Sequence, residues 1–374
     1  MKSYLLSNDI KTVILAPNAF KGSLEAPEFC RIMAEELNSP SLRILSLPMC
    51  DGGDGSAAIL ASYLQAVPIH ETACDALGRE HELTYYRKET TAIVDLAEVC
   101  GLRGLNREEY DVMNANTAGL GIILNKAVKK GCKRILLGVG GSASIDGGTG
   151  ALKEMGLKIV KQSSVYRNDL LEIKEIDSTL LNKNFKDIEW IILCDVENPL
   201  YGPQGAPAVF GPQKGATTLQ ISRLDQQLRF YRDLLLSNTG KDVESLQHGG
   251  AAGGIAAAFA ALLNAQLVSG AEYCIGLSDF RNQLEQASLV ITGEGKLDSQ
   301  TLCGKLPGVI AALCLEKSVP VIAVAGLAES FPHTFAQIYS LVDYAENLPA
   351  SMRQPGYYLR FVAREIKKNI LKLI

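Results

Sequence analysis

Histidine is scarce in this chain and cysteine is scattered. Four histidines with no HxxxH pair offer no recognisable zinc site. Nine cysteines with no CxxC pair read as small apolar residues of a reducing compartment, not as a redox centre. No apolar run reaches the length that spans a bilayer: the alanine-rich stretch near Ala251–Leu263 is too brief, and Val13–Ala16 is too short for the core of a secretory signal. There is no long basic run and the formal net charge is −4, which argues against nucleic acid as a partner. Also missing are a Walker GxxxxGK[ST] motif, the protein-kinase motif set, and a GxGxxG fingerprint after the first strand. What these absences leave is a cytoplasmic protein that touches neither membrane nor nucleic acid.

Glycine is plentiful, with 34 residues in 374, and much of it sits beside charge. The strongest cluster is Gly140-Gly141-Ser142-Ala143-Ser144-Ile145-Asp146-Gly147-Gly148, which follows the apolar run Ile135–Val139 and precedes helix-forming Ala151–Met155. A strand, a glycine loop and a helix in that order form the anion-binding corner of an α/β fold, where bare backbone N–H groups meet phosphate oxygens. Four more segments pair glycine with a lysine or a carboxylate: Asn18–Ser23, Asp51–Gly55, Phe210–Gly215 and Thr292–Asp298. Ordered glycine costs conformational entropy, so several charged glycine loops point to phosphate chemistry more readily than to structure alone.

The apolar runs supply the architecture. Thr12–Ala16 and Arg43–Leu47 read as buried strands, each delivering a glycine loop and then a helix, which is the opening of a parallel sheet. Val67–Thr72, His81–Arg87 and Thr91–Leu96 alternate with no helix between them and read as antiparallel strands. A helical period returns from Thr117, Gln162–Lys186 reads as loose and polar, and Trp190–Cys194 is another strand ending at Asp195. Helices are expected at Leu219–Leu236, Gly253–Leu263 and Gly308–Leu315, and strands at Ser288–Thr292 and Val319–Ala325. The run Leu359–Leu373 reads as a surface helix with Phe361, Val362, Ile366 and Ile370 on its apolar side. The fold class is α/β with two domains: a discontinuous parallel-sheet domain of Rossmann or flavodoxin-like type over residues 1–65 and 286–374, and a second α/β domain inserted over 66–285. The glycine loops are expected to line the cleft between them.

Phosphoryl transfer needs cations or amides for the phosphates, carboxylates for magnesium, and a base for the attacking hydroxyl. Lys21 and Lys214 are the candidate phosphate cations, and Asp51, Asp195, Glu294 and Asp298 are the loop-tip carboxylates. Glu294 lies between glycines where neither a helix nor a strand needs it. The reading places Lys21, Asp51, Asp195 and Glu294 in catalysis, with Asp51 as base and Asp195 and Glu294 holding Mg2+. ATP is expected to be cradled by Gly22, Ser23, Gly140, Gly141, Ser142, Lys214, Gly293, Gly295 and Asp298. Structural alternatives stand beside several of these: Asp54 as a cap of the following helix, Asp146 satisfying its own loop, and Asp195 as a turn former.

Seven ordered blocks carry a closer likeness: Ala16–Ser23, Pro48–Gly55, Gly138–Gly150, Cys194–Leu200, Ala208–Ala216, Gly250–Gly254, and Ile291–Thr301 with Gly304-Lys305. In these blocks the chain resembles the bacterial glycerate kinases of glyoxylate and sugar-diacid catabolism. The resemblance implies ATP-dependent phosphorylation of D-glycerate at the 2-hydroxyl and two α/β domains, one inserted in the other. Where this family usually carries an acid, the chain has Asn18, and Ser144-Ile145 stand in place of a threonine-asparagine pair. The expected partners are therefore D-glycerate and ATP, with a homodimer left open. Two other readings remain: a kinase of another small hydroxyacid, and a sensor of a phosphorylated acid without catalysis.

Overall fold

The computed structural model describes residues 10–194, 196–298, 301, 304–329 and 334–370. Its strands, in chain order, are β1 (Lys11–Pro17), β2 (Leu42–Ser46), β3 (Val67–Cys74), β4 (Glu80–Lys88), β5 (Thr91–Asp95), β6 (Arg134–Gly138), β7 (Lys158–Lys161), β8 (Ile173–Asp177), β9 (Glu189–Cys194), β10 (Gln266–Ser269), β11 (Leu289–Leu297), β12 (Val321–Ala328) and β13 (Gln337–Ser340). Contacts gather the chain into two compact units. Residues up to Cys50 with those from Ala271 onward make the first, and Asp51–Gly270 make the second.

The first unit is built on a parallel sheet in the order β13-β12-β11-β1-β2. Val13, Ile14, Leu15 and Ala16 of β1 are all fully buried, as expected of a central parallel strand covered on both faces. Helix Ala26–Leu37 lies against this sheet through Phe29, Cys30, Ile32 and Met33, and helix Pro355–Asn369 packs on it in turn. That C-terminal helix buries Leu359, Val362, Ala363 and Ile366. Phe361, which the sequence reading put on the apolar side, is 39% exposed instead and packs edge-on against Tyr357. Next to Val362 in sequence, it is turned about 100° away from the buried stripe.

The second unit carries a mixed sheet in the order β10-β9-β6-β5-β4-β3. β5, β6, β9 and β10 run parallel, while β3, β4 and β5 are joined antiparallel. The alternating runs after residue 66 thus form the antiparallel edge that their spacing predicts. Helix Ser56–Leu64 packs on β4 and β5 and belongs to this unit, and residues 271–285 belong to the first. The units therefore divide at Cys50/Asp51 and Gly270/Ala271, not at the residues where the hydrophobic pattern changes. Hydrogen bonds explain the first division, because the Ala57 N–H donates to Asp95 Oδ2 at the end of β5 and the Gly140 N–H donates to Gly52 O.

Three local expectations are corrected. The stretch Gln162–Lys186, read as loose, contains β8, paired antiparallel with β7, and the helix Thr179–Phe185 with Leu181 and Phe185 buried. The segment Thr292–Asp298, read as a loop, continues β11 as far as Leu297, in register with β12 up to Ala328. Gly293 makes this possible, since a Cβ there would stand 2.3 Å from Val324 O. The N-cap of helix Ser56–Leu64 is Gly55, at φ 79°, and not Asp54.

Candidate functional site

In the first unit, two of the charged glycine segments lie side by side. The Asn18 N–H donates to Gly293 O at 2.8 Å, which ties the end of β1 to β11. The chain then turns tightly: Phe20 and Leu24 exchange backbone hydrogen bonds of 2.8 and 3.1 Å, the Ser23 hydroxyl donates to Phe20 O, and Gly22 adopts φ 75°. Phe20 anchors the turn from beneath, buried against Phe29 with ring centroids 5.6 Å apart. Lys21 is thereby presented, exposed, at the tip of a rigid loop. A Cβ on Gly295 would come within 3.4 Å of the Lys21 backbone nitrogen, so this loop's backbone lies directly over the Glu294–Gly295 segment.

Glu294 is 7% exposed and its Oε1 accepts from Thr301 Oγ1 at 3.0 Å. Asp298 stands at the end of this segment between Lys296 and Lys305, each 3.2 Å away. Burial pushes its carboxyl up, but hydrogen bonds from the two lysines outweigh burial and hold it below the usual range. Asp298 was expected to contact the nucleotide; an ion-paired carboxylate is better suited to orienting its lysines than to meeting a phosphate.

In the second unit, three further segments and the Gly250–Gly254 block form a knot. A Cβ on Gly140 would lie 2.6 Å from Gly53 Cα, and one on Gly253 would lie 2.6 Å from Ser144 O, so these backbones touch where side chains cannot fit. Asp146, fully buried, is the hub. Its Oδ2 accepts from Thr117 N (2.9 Å), Thr117 Oγ1 (2.7 Å) and Gly150 N (3.2 Å), and its Oδ1 from Ser144 Oγ (2.9 Å) and Gly148 N (3.3 Å). The loop-forming alternative for Asp146 is the arrangement present, extended to Thr117 on the neighbouring helix. Asn168 braces the same loop by donating to Ile145 O and Val112 O.

This knot changes how the glycine loop can act. The N–H groups of Gly140, Ala143, Gly147 and Gly150 are committed to Gly52 O, Cys100 O, Gly253 O and Asp146 Oδ2. Gly140 was expected to offer its N–H to a phosphate, but that group is used inside the protein. Gly141 remains exposed beside the buried Ser142. Lys214, expected as a phosphate cation, is 3% exposed and donates to Ser142 Oγ at 2.7 Å and Ser144 O at 2.6 Å. Burial pushes its ammonium down to about 7, against the opposing charge of Asp146. Asp51 is 6% exposed, with Oδ1 accepting from Gly53 N at 3.0 Å. Asp195 lies outside the described residues.

The structure places Lys21, Gly22, Ser23, Gly293, Glu294, Gly295 and Asp298 in one unit, and Asp51, Gly140, Gly141, Ser142 and Lys214 in the other. The sequence reading missed Asp95, Thr117 and Asn168. Asp95 is buried with its carboxyl raised well above the usual range by burial. Each of the three is hydrogen-bonded to a partner more than twenty positions away, so no local spacing announces it. For magnesium, the described residues hold no group of three or more His, Cys, Asp or Glu able to enclose a metal. That ion keeps several waters and needs only one or two carboxylates beside substrate phosphates, so the hard oxygen donor of Glu294 is of the right chemistry.

Comparison with known proteins agrees across the chain's length. The model of the glycerate kinase family matches residues 13–371. A protein of Halalkalibacterium halodurans named glycerate kinase is 33% identical over 372 residues, covering 96% of this chain and 97% of its own. An Escherichia coli protein named glycerate 2-kinase is 32% identical over 322 residues, 84% of each chain. A crystal structure from Salmonella typhimurium LT2, provisionally named glycerate kinase 2, superposes with a TM-score of 0.78 at 31% identity, covering 97% of this chain and 98% of that one.

Proposed function

We propose, from the premise that this chain belongs to the glycerate kinase family, that it transfers the γ-phosphoryl group of ATP to the 2-hydroxyl of D-glycerate, giving ADP and 2-phosphoglycerate. The observation that carries the reading is the first unit's pairing of an exposed lysine on a rigid tip with a buried glutamate on the strand beneath it. Phosphoryl transfer asks the protein for little covalent chemistry and much charge placement, and a lysine on the turn after β1 and a carboxylate on the neighbouring β11 supply both signs. The choice of the 2-hydroxyl is supported by the relative named glycerate 2-kinase.

Lys21 neutralises charge on the transferring phosphoryl group, and the Phe20–Leu24 turn spares it the cost of being ordered at the moment of reaction. Glu294 and Asp195 are the carboxylates that would hold magnesium, whose charge would screen the β- and γ-phosphates. Asp51 accepts the proton of the glycerate hydroxyl, from a loop whose backbone is fixed by close packing against Gly270. Gly22, Gly141, Ser142 and Gly295 present backbone and hydroxyl donors to phosphate or carboxylate oxygens, while the Ser23 N–H and hydroxyl are spent on Phe20 O, Gly293 is paired in the sheet on both sides, and Asp298 keeps Lys305 and Lys296 in place. No helix among the described residues is long and apolar enough to cross a membrane.

The test is ADP release from ATP and magnesium in the presence of a panel of hydroxyacids. ADP formation that depends on D-glycerate supports the kinase. Binding of ATP and glycerate without turnover would replace it by a sensor, and turnover with a different hydroxyacid alone would move the substrate.

A further inference from the structure

The knot in the second unit holds a buried lysine beside the buried carboxylate of Asp146. Lys214 arrives from a separate short turn, Pro212–Lys214, next to Gly215 at φ 82°, and reaches the glycine loop with its whole side chain buried. An ammonium has three N–H donors and no acceptor. One goes to Ser144 O and one to Ser142 Oγ, at 2.6 and 2.7 Å. While Lys214 is charged, the Ser142 hydroxyl cannot donate back to it and must aim its own hydrogen elsewhere. The neighbouring carboxylate does not claim that hydrogen, because Asp146 Oδ1 takes the Ser144 hydroxyl and the Gly148 N–H.

We propose that Lys214 is a positioning residue: its charged form fixes the Ser142 hydroxyl as a donor to an anionic oxygen of a bound substrate, and loss of its proton withdraws that donor. This rests on reading the Gly140–Gly148 loop as part of the kinase's substrate site. A neutral amine carries a lone pair that can accept from Ser142, so the hydroxyl turns inward and the loop loses both a donor and a positive charge. The groups facing Lys214 set where this happens. Asp146 of the glycine loop favours the charged form, and burial opposes it more strongly, leaving the ammonium titrating near 7. Among the described residues two tyrosines pack on the same loops: Tyr110 on Gly215 and Tyr231 on Gly147. The Tyr231 hydroxyl is itself driven far upward by burial and stays neutral throughout.

The anionic oxygen is either a nucleotide phosphate or the glycerate carboxylate, and calorimetric titration with the non-hydrolysable analogue AMP-PNP and with D-glycerate separates the two. Both ligands are titrated between pH 6 and 9 into the wild-type protein, Lys214→Met and Ser142→Ala, with thermal melts to confirm folding. In the wild type, one ligand should weaken about tenfold as pH rises through neutrality, the worth of one charge-assisted hydrogen bond. Both variants should bind it weakly and without that pH step. Titration of the ligand's own phosphate is common to all three proteins and cancels in the ratio to wild type. Should Lys214→Met fail to fold, Ser142→Ala carries the test alone. A step that persists in the variants, a uniform loss at every pH, or no step for either ligand would overturn the proposal. Because binding is read without turnover, a wild type that binds with the pH step but forms no ADP would defeat the kinase reading and leave this one standing.

Discussion

Removing the negative charge of Asp146 should loosen the second unit from its centre. The carboxylate accepts five hydrogen bonds and donates none, so an amide cannot replace it without turning one N–H against another. In Asp146→Asn the least costly orientation puts the NH2 at the Oδ1 position. There the Ser144 hydroxyl can reverse and accept, leaving only the Gly148 N–H, at 3.3 Å, unmet. One orphaned buried donor costs about 1–3 kcal/mol, and weakening the remaining charge-assisted bonds to neutral ones adds a similar amount, for about 2–6 kcal/mol in all. Asp146→Ala orphans every donor at once and should cost more, while Ser144→Ala removes one bond and should cost about 1 kcal/mol. Urea unfolding at pH 7 followed by circular dichroism gives the three values. An asparagine variant within about 0.5 kcal/mol of wild type, or one no better than alanine, would refute the hub described here.

Other expectations follow from the same geometry. Lys21→Met should lower turnover by about a hundredfold or more, as loss of a charge aimed at the reacting group does, with the melting temperature unchanged because the side chain is exposed; unaltered turnover would make Lys21 an ordinary surface lysine. Asp51→Asn should abolish turnover while ATP affinity, measured by calorimetry, stays near normal, whereas Asp195→Asn should raise the magnesium concentration needed for half-maximal rate; the reverse pattern exchanges the two roles. Gly253→Ala, whose Cβ would meet Ser144 O at 2.6 Å from a backbone at φ 70°, should destabilise by about 1–3 kcal/mol in the same urea assay, and no change would mean the knot is looser than described. Folding lowers the Lys214 ammonium to about 7, so between there and its ordinary value near 10.5 the unfolded chain holds the extra proton. Unfolding free energy should therefore gain up to about 1.4 kcal/mol per pH unit from this group as pH rises above 7, a slope that disappears in Lys214→Met.

Much of the framework is legible in the sequence because it rests on local pattern. The strand Thr12–Ala16 is a continuous apolar run and lies inside a parallel sheet between β11 and β2, and the alternating segments after residue 66 form an antiparallel edge. Charged segments with isolated apolar residues were harder: β7 and β8 are too short and too exposed for their alternation to stand out, yet they pair. The division between units escaped the pattern because helix Ser56–Leu64 is held by Asp95, a partner 38 positions along the chain. Glycine told more about close packing than about phosphate. Gly140 and Gly253 are glycine because backbones meet there, and Lys214, which sequence logic would aim at a ligand, is spent on Ser142 and Ser144. Lys21 has the exposure, and Glu294, buried on β11, the fixed placement, that their proposed roles ask for.

The position of the transferred phosphate tests the central claim most directly. Incubation of the protein with ATP, magnesium and D-glycerate, followed by proton-coupled phosphorus NMR of the product, distinguishes a phosphate on the secondary carbon from one on the primary carbon. A single coupled proton, the doublet of 2-phosphoglycerate, is the predicted result. A triplet from 3-phosphoglycerate, or no phosphoglycerate while ATP and glycerate both bind, would contradict it.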